Sequence, residues 1–128
     1  MKIAIDAMGG DYGPSITIEA VSCALNSNKN VDFEIFGDFS VAKPFLDKFK
    51  LSYSNRINFI HTSEVVESND KPSFALRFKK SSSMRMAIDS IKGEKHAACV
   101  SAGNTGALLG IARFVLTNVS LVNLEQAG

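Results

Sequence analysis

Four short apolar runs recur along this chain of 128 residues, and each leads through a polar or glycine-rich loop into a helical pattern. The runs begin at Ile3, Val31, Ile57 and Ala97. Strands that alternate with helices predict parallel βαβ units, whose right-handed crossovers place helices on both faces of one sheet. The predicted fold class is therefore α/β, a three-layer αβα sandwich with a mostly parallel sheet.

The helical patterns have recognisable starts. Pro14 suits the first turn of a helix, and the apolar face predicted after it includes Ile16 and Ile18. After the third strand, an irregular acidic loop over residues 63–71 precedes a helix that opens at Pro72. The polar stretch that starts at Arg77 interrupts this helix before a second one continues.

Composition limits the number of domains and the kind of partner. With 45% hydrophobic residues, a chain of this length buries one ordinary core. Its net charge of +1 supplies no overall field for holding nucleic acid, so we expect no nucleic-acid partner. Cys23 and Cys99 show neither CxxC nor metal-ligand spacing and stand in apolar contexts. We expect both thiols to be buried and reduced, as in a reducing cytoplasm.

No export signal or transmembrane span is expected from the hydrophobic pattern. The N-terminal residues run directly into the first predicted strand, without the long apolar region of a signal peptide. Residues 97–116 have membrane-spanning length, but Ser101, Asn104 and Arg113 interrupt them. They are predicted to form a strand, a turn and a helix, and we expect a cytoplasmic location.

The loops after the predicted strands are expected to share one edge of the sheet, because the carboxyl ends of parallel strands lie together and bind ligands there. These loops cover residues 6–13, 37–38, 61–62 and 101–106. His61 would lie at that edge, whereas His96 precedes a strand and would lie at the opposite one. A lone histidine is more often structural than catalytic.

The segment from Ser101 to Ala107 is the strongest candidate binding site. Gly103 and Gly106 allow close backbone approach where a strand becomes a helix, and free N–H groups at a helix start favour a bound anion. Asn104 and Thr105 add side-chain donors. The alternative is a small-residue turn needed only to pack the helix on the strand.

A second candidate is the loop from Asp6 to Asp11, which places two carboxylates across the Gly9-Gly10 pair. Carboxylates held close together favour acid–base chemistry, because their repulsion raises the pKa of one of them. In the alternative interpretation, Asp6 only ends the strand and Asp11 caps the following helix.

A third candidate is the stretch from Arg77 to Met84, in which Arg77, Lys79 and Lys80 precede three serines. Guanidinium, ammonium and hydroxyl groups are all suited to phosphate. Alternatively, the stretch is a solvated basic helix end with Ser83 as the cap of the next helix. The chain has no zinc, P-loop or catalytic-triad spacing, and its glycines do not form the GxGxxG dinucleotide fingerprint.

Together, the segments 6–11, 77–84 and 101–107 resemble, in order and spacing, the signatures of the PlsX family, the bacterial phosphate acyltransferases of phospholipid synthesis. The resemblance covers residues 1–116, whereas residues 117–128 match the family poorly. It implies a fold like that of isocitrate and isopropylmalate dehydrogenases. It also implies that this chain is an incomplete N-terminal part, ending near the halfway point of longer family members.

The implied activity is transfer of a fatty acyl group from acyl carrier protein to inorganic phosphate, which gives an acyl phosphate. No cofactor or metal is implied, and phosphate attacks directly, so no serine or cysteine nucleophile is needed. Further implied partners are a second copy in the full-length protein, peripheral contact with a membrane, and a membrane glycerol-phosphate acyltransferase that uses the product.

The resemblance implies Asn104 and Lys80 as catalytic residues. Phosphate or substrate binding is implied for Asp6, Gly9, Gly10, Asp11, Arg77, Lys79, Ser81, Ser82, Ser83, Ser101, Gly103, Thr105 and Gly106. Two other functions stay open from the sequence: a non-catalytic α/β module that binds a small anion, and, with less support, a nucleotide-binding domain.

Overall fold

The structure, a computed structural model, describes residues 1–92 and 98–116. Four strands and five helices alternate through these residues, as the sequence predicts. The strands are β1 (Lys2–Asp6), β2 (Asp32–Gly37), β3 (Ile57–His61) and β4 (Ala98–Ser101). The helices are α1 (Pro14–Ser27), α2 (Phe39–Lys48), α3 (Pro72–Phe78), α4 (Ser83–Lys92) and α5 (Thr105–Val115).

All four strands are parallel, and they lie in the order β3-β2-β1-β4. Ile5 of β1 lies between Ile35 of β2 and Val100 of β4, which places β1 at the centre of the sheet. Because the strands run in one direction, the loops that follow them all emerge at one edge. The predicted common edge is therefore confirmed for the described residues.

Separate apolar clusters cover the two faces of the sheet. On one face, Ile5 and Ile35 pack with Ile18 of α1 and Leu46 of α2. On the other face, Ala4 and Phe36 pack with Ala87 of α4. The alternation follows from strand geometry, in which successive side chains point to opposite faces. Helices on both faces of a parallel sheet confirm the predicted αβα sandwich.

The two helix caps that the sequence left open as alternatives, Asp11 and Ser83, are not found in the structure. Gly13 is the N-cap of α1, without a side-chain cap bond, so Asp11 does not cap this helix. Ser82 caps α4 in place of Ser83, because its Oγ accepts a hydrogen bond from the Arg85 N–H at 3.1 Å. The Ser83 hydroxyl is instead directed to Asp6.

The prediction that both cysteines are buried is wrong for Cys23, which is exposed on α1. The buried positions of α1 are Pro14, Ile18, Val21 and Leu25, a spacing that turns Cys23 to the opposite side of the helix. Ile16, also predicted to face the core, is 54% exposed for the same reason. Cys99 lies on β4 and is partly buried. Burial, followed by the negative charge of Asp6, raises the pKa of its thiol to about 12.

The two thiols are expected to react at very different rates with a disulfide reagent such as dithionitrobenzoate. At about pH 8, a pKa of about 12 leaves roughly one Cys99 thiol in ten thousand as thiolate, which is the reactive form, whereas Cys23 is exposed to the reagent. Labelling of the Cys99→Ser variant, which keeps Cys23, should be fast, whereas the Cys23→Ser variant should label slowly until it unfolds. Equal rates in the two variants would contradict this difference.

No helix in the described ranges is long and apolar enough to cross a membrane. The stretch of membrane-spanning length begins at residue 97. Its described residues, 98–116, form β4, a turn and α5, as predicted. Ala97, His96 and residues 117–128 lie outside the described residues.

Candidate anion-binding site

A cleft of about 640 Å³ opens at the carboxyl edge of the sheet, beyond the inner strand β1 and its outer neighbour β4. Three loops form its walls: the loop after β1, the loop between β3 and α3, and the turn between β4 and α5. The lining residues are Met8, Gly10, Asp11, Val65, Val66, Glu67, Ser68, Ala102, Gly103, Asn104, Thr105 and Gly106. The cleft therefore combines two of the three sequence segments that the resemblance singles out.

Asp6 connects these segments from within the structure. Asp6 is buried, with only 2% of its surface exposed. One carboxylate oxygen accepts hydrogen bonds from the Ser83 hydroxyl at 2.6 Å and from the Met8 N–H at 3.1 Å, and the other accepts from the Ser101 hydroxyl at 2.7 Å. Asp6 does not line the cleft but holds together the loop after β1, the start of α4 and the end of β4.

Gly9 and Gly103 bring two walls of the cleft into backbone contact. A Cβ atom on Gly9 would lie 2.6 Å from the Gly103 nitrogen and 2.8 Å from its Cα. The Gly103 N–H donates to the Ser101 hydroxyl at 3.1 Å, which continues the network that begins at Asp6. Gly10 has a φ of +87°, a left-handed conformation that glycine adopts without strain. These glycines shape the loops so that the cleft can form.

The start of α5 presents N–H groups to the cleft. Asn104 is the N-cap, and its Oδ1 accepts a hydrogen bond from the Ala107 N–H at 3.1 Å. The N–H groups of Thr105 and Gly106 belong to the first turn, where an α-helix has no acceptors of its own. Both residues line the cleft and are exposed. The free N–H groups and the positive end of the helix dipole favour an anion at this position.

The side-chain amide of Asn104 is already engaged. Its Nδ2 donates to the Asp70 carbonyl at 2.7 Å and to the Glu67 carbonyl at 3.1 Å, with a longer contact of 3.4 Å to the Ser68 carbonyl. Asn104 thus caps α5 with one end of its amide and holds the 67–70 loop with the other. This geometry differs from the sequence interpretation, in which the amide is a free donor to the substrate.

The basic segment contributes to the site unevenly. Lys79 donates to the Val65 carbonyl at 2.8 Å and lies 3.7 Å from Asp70, so it supports the loop that carries the wall residues. The Ser81 N–H donates to Glu64 at 2.9 Å. Arg77 and Lys80 are exposed and are not among the residues that line the cleft.

Several wall residues were missed by the sequence interpretation. Val65, Val66, Glu67 and Ser68 belong to the acidic loop after β3, to which no site role was assigned from the sequence. Its position after β3 was an available signal, because loops at the carboxyl ends of parallel strands form ligand sites. Within the described lining, the ionisable side chains are Asp11 and Glu67, both acidic. An anion in this cleft would therefore be held by backbone N–H groups and hydroxyls.

His61 lies at the predicted edge of the sheet but on β3, the outer strand on the far side of the sheet from β4. Its Nδ1 accepts a hydrogen bond from the Phe39 N–H at the start of α2, at 3.1 Å. It is not among the residues that line the cleft. The bond to α2 gives His61 a local structural role.

A parallel α/β sheet with glycine-rich loops and a helix start around a cleft at its carboxyl edge defines an α/β domain with a candidate anion site. Residues 1–125 match the profile of the family described as "Fatty acid synthesis protein", and the chain belongs to this family. The resemblance found from the sequence is thereby confirmed. The match extends past residue 116, and the predicted division of the chain at that residue stays a prediction.

Curated relatives named "Phosphate acyltransferase" align with most of the chain. The relative from Methylococcus capsulatus is 50% identical over 89% of this chain and 34% of its own length. The relative from Ehrlichia ruminantium is 50% identical, with coverages of 98% and 37%, and that from Actinobacillus pleuropneumoniae is 42% identical, with coverages of 98% and 36%. The chain thus spans about a third of these relatives, less than the half that was expected from the sequence.

Proposed function

We propose that the protein transfers a fatty acyl group from acyl carrier protein to inorganic phosphate, forming an acyl phosphate for phospholipid synthesis. The observation that carries this proposal is the helix start at Thr105 and Gly106, open to a cleft in a chain that is 50% identical to a phosphate acyltransferase. Such a helix start suits an anionic nucleophile. The acceptor in the proposed reaction is itself an anion, which suits the positive end of the helix dipole at this helix start.

In the proposed reaction, a phosphate oxygen attacks the thioester carbonyl carbon and the carbon–sulfur bond breaks. The carrier thiolate leaves and takes up a proton. The N–H groups of Thr105 and Gly106, with the Thr105 hydroxyl, would hold the phosphate oxygens and keep the nucleophile in place. Asn104 would be a positioning residue, because its hydrogen bonds fix both the start of α5 and the facing 67–70 loop. Lys80 as a catalytic residue and Arg77 as a phosphate ligand stay predictions.

The finer assignments follow the same proposal. We propose that the full-length protein forms a homodimer and works in the cytoplasm with peripheral contact to the membrane. A membrane glycerol-phosphate acyltransferase would consume the acyl phosphate.

Replacement of Asn104 tests the proposal most directly. Asn104→Asp keeps an oxygen that accepts from the Ala107 N–H, but it turns a carboxylate toward the Asp70 and Glu67 carbonyls and adds a negative charge beside the phosphate. We expect phosphate-dependent turnover to fall by about tenfold or more, mainly through a higher KM for phosphate. The readout is acyl phosphate formed from acyl carrier protein thioester and radiolabelled phosphate.

The assay uses the chain itself and a chimera in which it replaces the matching third of the Methylococcus capsulatus relative. The matched control is Asn55→Asp, the same chemical change at an exposed residue before β3, which should leave turnover unchanged. A chimera that melts like its parent but makes no acyl phosphate would refute the proposed function. Unchanged turnover in Asn104→Asp would remove Asn104 from the site.

A second candidate is a non-catalytic module that binds a small anion. It is favoured because the described lining of the cleft has no lysine or arginine side chain that could stabilise the oxyanion that develops during acyl transfer. This alternative requires phosphate binding by calorimetry without acyl transfer in either form. Adenine nucleotide binding that phosphate does not compete with would instead indicate a nucleotide-binding domain.

A further inference from the structure

One exposed face of α3 combines aromatic and cationic side chains. Phe74 and Phe78 stand one helical turn apart, with ring centroids 5.2 Å from each other, and they are 43% and 59% exposed. Arg77 follows Phe74 by three residues and shares its face of the helix, and exposed Lys71 is the N-cap residue just before α3. With Lys80, which follows the helix, these residues form a surface that we call the α3 patch.

The positive charge of the α3 patch is not neutralised within the described residues. No acidic side chain occurs from residue 71 to residue 88. Two other cations of this stretch are paired, since Lys79 lies 3.7 Å from Asp70 and Arg85 lies 3.0 Å from Asp89. Lys71, Arg77 and Lys80 have no ion pair among the described side chains. Exposed aromatic rings within a field of free positive charge mark an interaction surface for an acidic partner.

The α3 patch adjoins the anion-binding cleft. Helix α3 packs against α5, and a Cβ atom on Gly106 would lie 3.2 Å from Pro72 at the start of α3. The Asp70 carbonyl, just before α3, is bound by the Asn104 amide at 2.7 Å. A partner bound to the α3 patch would thus lie next to the start of α5, which faces the cleft.

We propose that the α3 patch docks an acidic face of the protein that carries the acyl group. The inference rests on the proposed function, in which the acyl donor is a protein-bound thioester. It gives Arg77 a task different from the predicted phosphate ligation, and Lys80 a task different from the predicted catalytic role. Free cations would steer the acidic carrier toward the cleft, while the two phenylalanines supply the apolar centre of the contact.

The surroundings of the patch favour a protein over an anionic bilayer. Helix α3 has seven residues and is therefore only about 10 Å long. Exposed Glu67 precedes it, and exposed Asp89 lies on the neighbouring helix α4. A flat bilayer that covered the patch would bring its negative charge within about one Debye length of these carboxylates. A protein can limit its acidic contact to α3, and phenylalanine and arginine are both frequent in protein interfaces.

Binding of acyl carrier protein to the full chain tests the docking proposal. Fluorescence anisotropy of labelled acyl-loaded carrier gives the dissociation constant at low and high salt. We expect Arg77→Glu/Lys80→Glu to weaken binding by about tenfold or more and to reduce the salt dependence. Phe78→Ala, which keeps the charge, should weaken it by about fivefold. Arg77→Gln/Lys80→Gln serves as a milder pair if the double charge reversal fails to fold.

The matched control is Lys2→Glu/Lys29→Glu, which makes the same charge change at the opposite edge of the sheet and should alter the affinity by less than about twofold. Equal losses in control and patch variants would overturn the proposal, as would no carrier binding by the wild-type chain. Binding to phosphatidylglycerol vesicles that depends on Arg77 and Lys80, with carrier affinity unchanged, would assign the patch to a bilayer and also overturn it.

Acyl phosphate formation from acyl carrier protein thioester and phosphate is measured separately, in the chimera, at a carrier concentration that saturates binding. No product together with patch-dependent carrier binding would refute the proposed chemistry and leave the docking surface supported.

Discussion

Gly9→Ala is expected to destabilise the chain by about 3 kcal/mol, because the new methyl group has no room to move into. The added Cβ would lie 2.6 Å from the Gly103 nitrogen and 2.8 Å from its Cα, and 3.1 Å from an Asp6 carboxylate oxygen. The nearest atoms are backbone, which cannot rotate aside as a flexible side chain does. The loop after β1 must therefore separate from the turn after β4, and the Asp6 network must stretch.

Urea unfolding followed by circular dichroism measures this loss. Gly110→Ala is the matched control. Gly110 lies within helix α5, and its added Cβ would lie 3.4 Å from Pro72, which is an ordinary van der Waals contact. A glycine in a helix interior costs about 1 kcal/mol relative to alanine, so this substitution should leave stability unchanged or raise it. Equal free energies of unfolding for Gly9→Ala and Gly110→Ala would show that the two loops do not touch.

The order of strands and helices was predictable because each element has a local signal. The strands at Ile3 and Ile57 are apolar runs bounded by polar residues, and Pro14 and Pro72 stand at the first turns of α1 and α3. These signals depend on neighbours in sequence, so no knowledge of distant contacts was needed. The parallel sheet and its common loop edge then follow from the alternation itself.

Side-chain roles were less predictable because they depend on contacts between distant segments. The Asn104 amide looks like a free donor in sequence, yet it donates to a carbonyl 34 residues earlier, at Asp70. Ser83 stands where a helix cap is expected, but its hydroxyl meets Asp6 across 77 residues. Only the path of the folded chain brings these partners together.

The end of helix α3 explains the different roles of the cations. Arg77 and Lys79 are two residues apart in one basic run, but Arg77 lies within α3, whereas Lys79 is its C-cap, where the backbone leaves the helical conformation. Lys79 is therefore turned to the loop that carries Val65, while Arg77 is exposed on the outer face of α3. The composition of the run predicts its charge, but not which of its cations reaches the site.

Asp6→Ala is expected to cost about 3 kcal/mol or more, because it leaves three donors without their acceptor in a nearly water-free location. Asp6→Asn keeps one oxygen, and the Ser83 and Ser101 hydroxyls can rotate to suit an amide. We therefore expect a smaller loss, about 1–2 kcal/mol, from the missing charge on the acceptor. Asp11→Ala is the matched control: Asp11 is exposed in the same loop, and its loss should stay within about 0.5 kcal/mol.

A double-mutant cycle shows whether Asp6 acts by holding the three segments together. Ser83→Ala removes one donor to the carboxylate, and Asp6→Ala removes the acceptor of the same bond, which is 2.6 Å long. If this bond matters, the double variant should lose less free energy of unfolding than the sum of the single losses, by about 1 kcal/mol or more. The same cycle with Ser101→Ala tests the link to the turn before α5. Additive losses in both cycles would mean that the carboxylate stabilises the chain without coupling α4 to the cleft, and the network would then have no part in positioning the helix start.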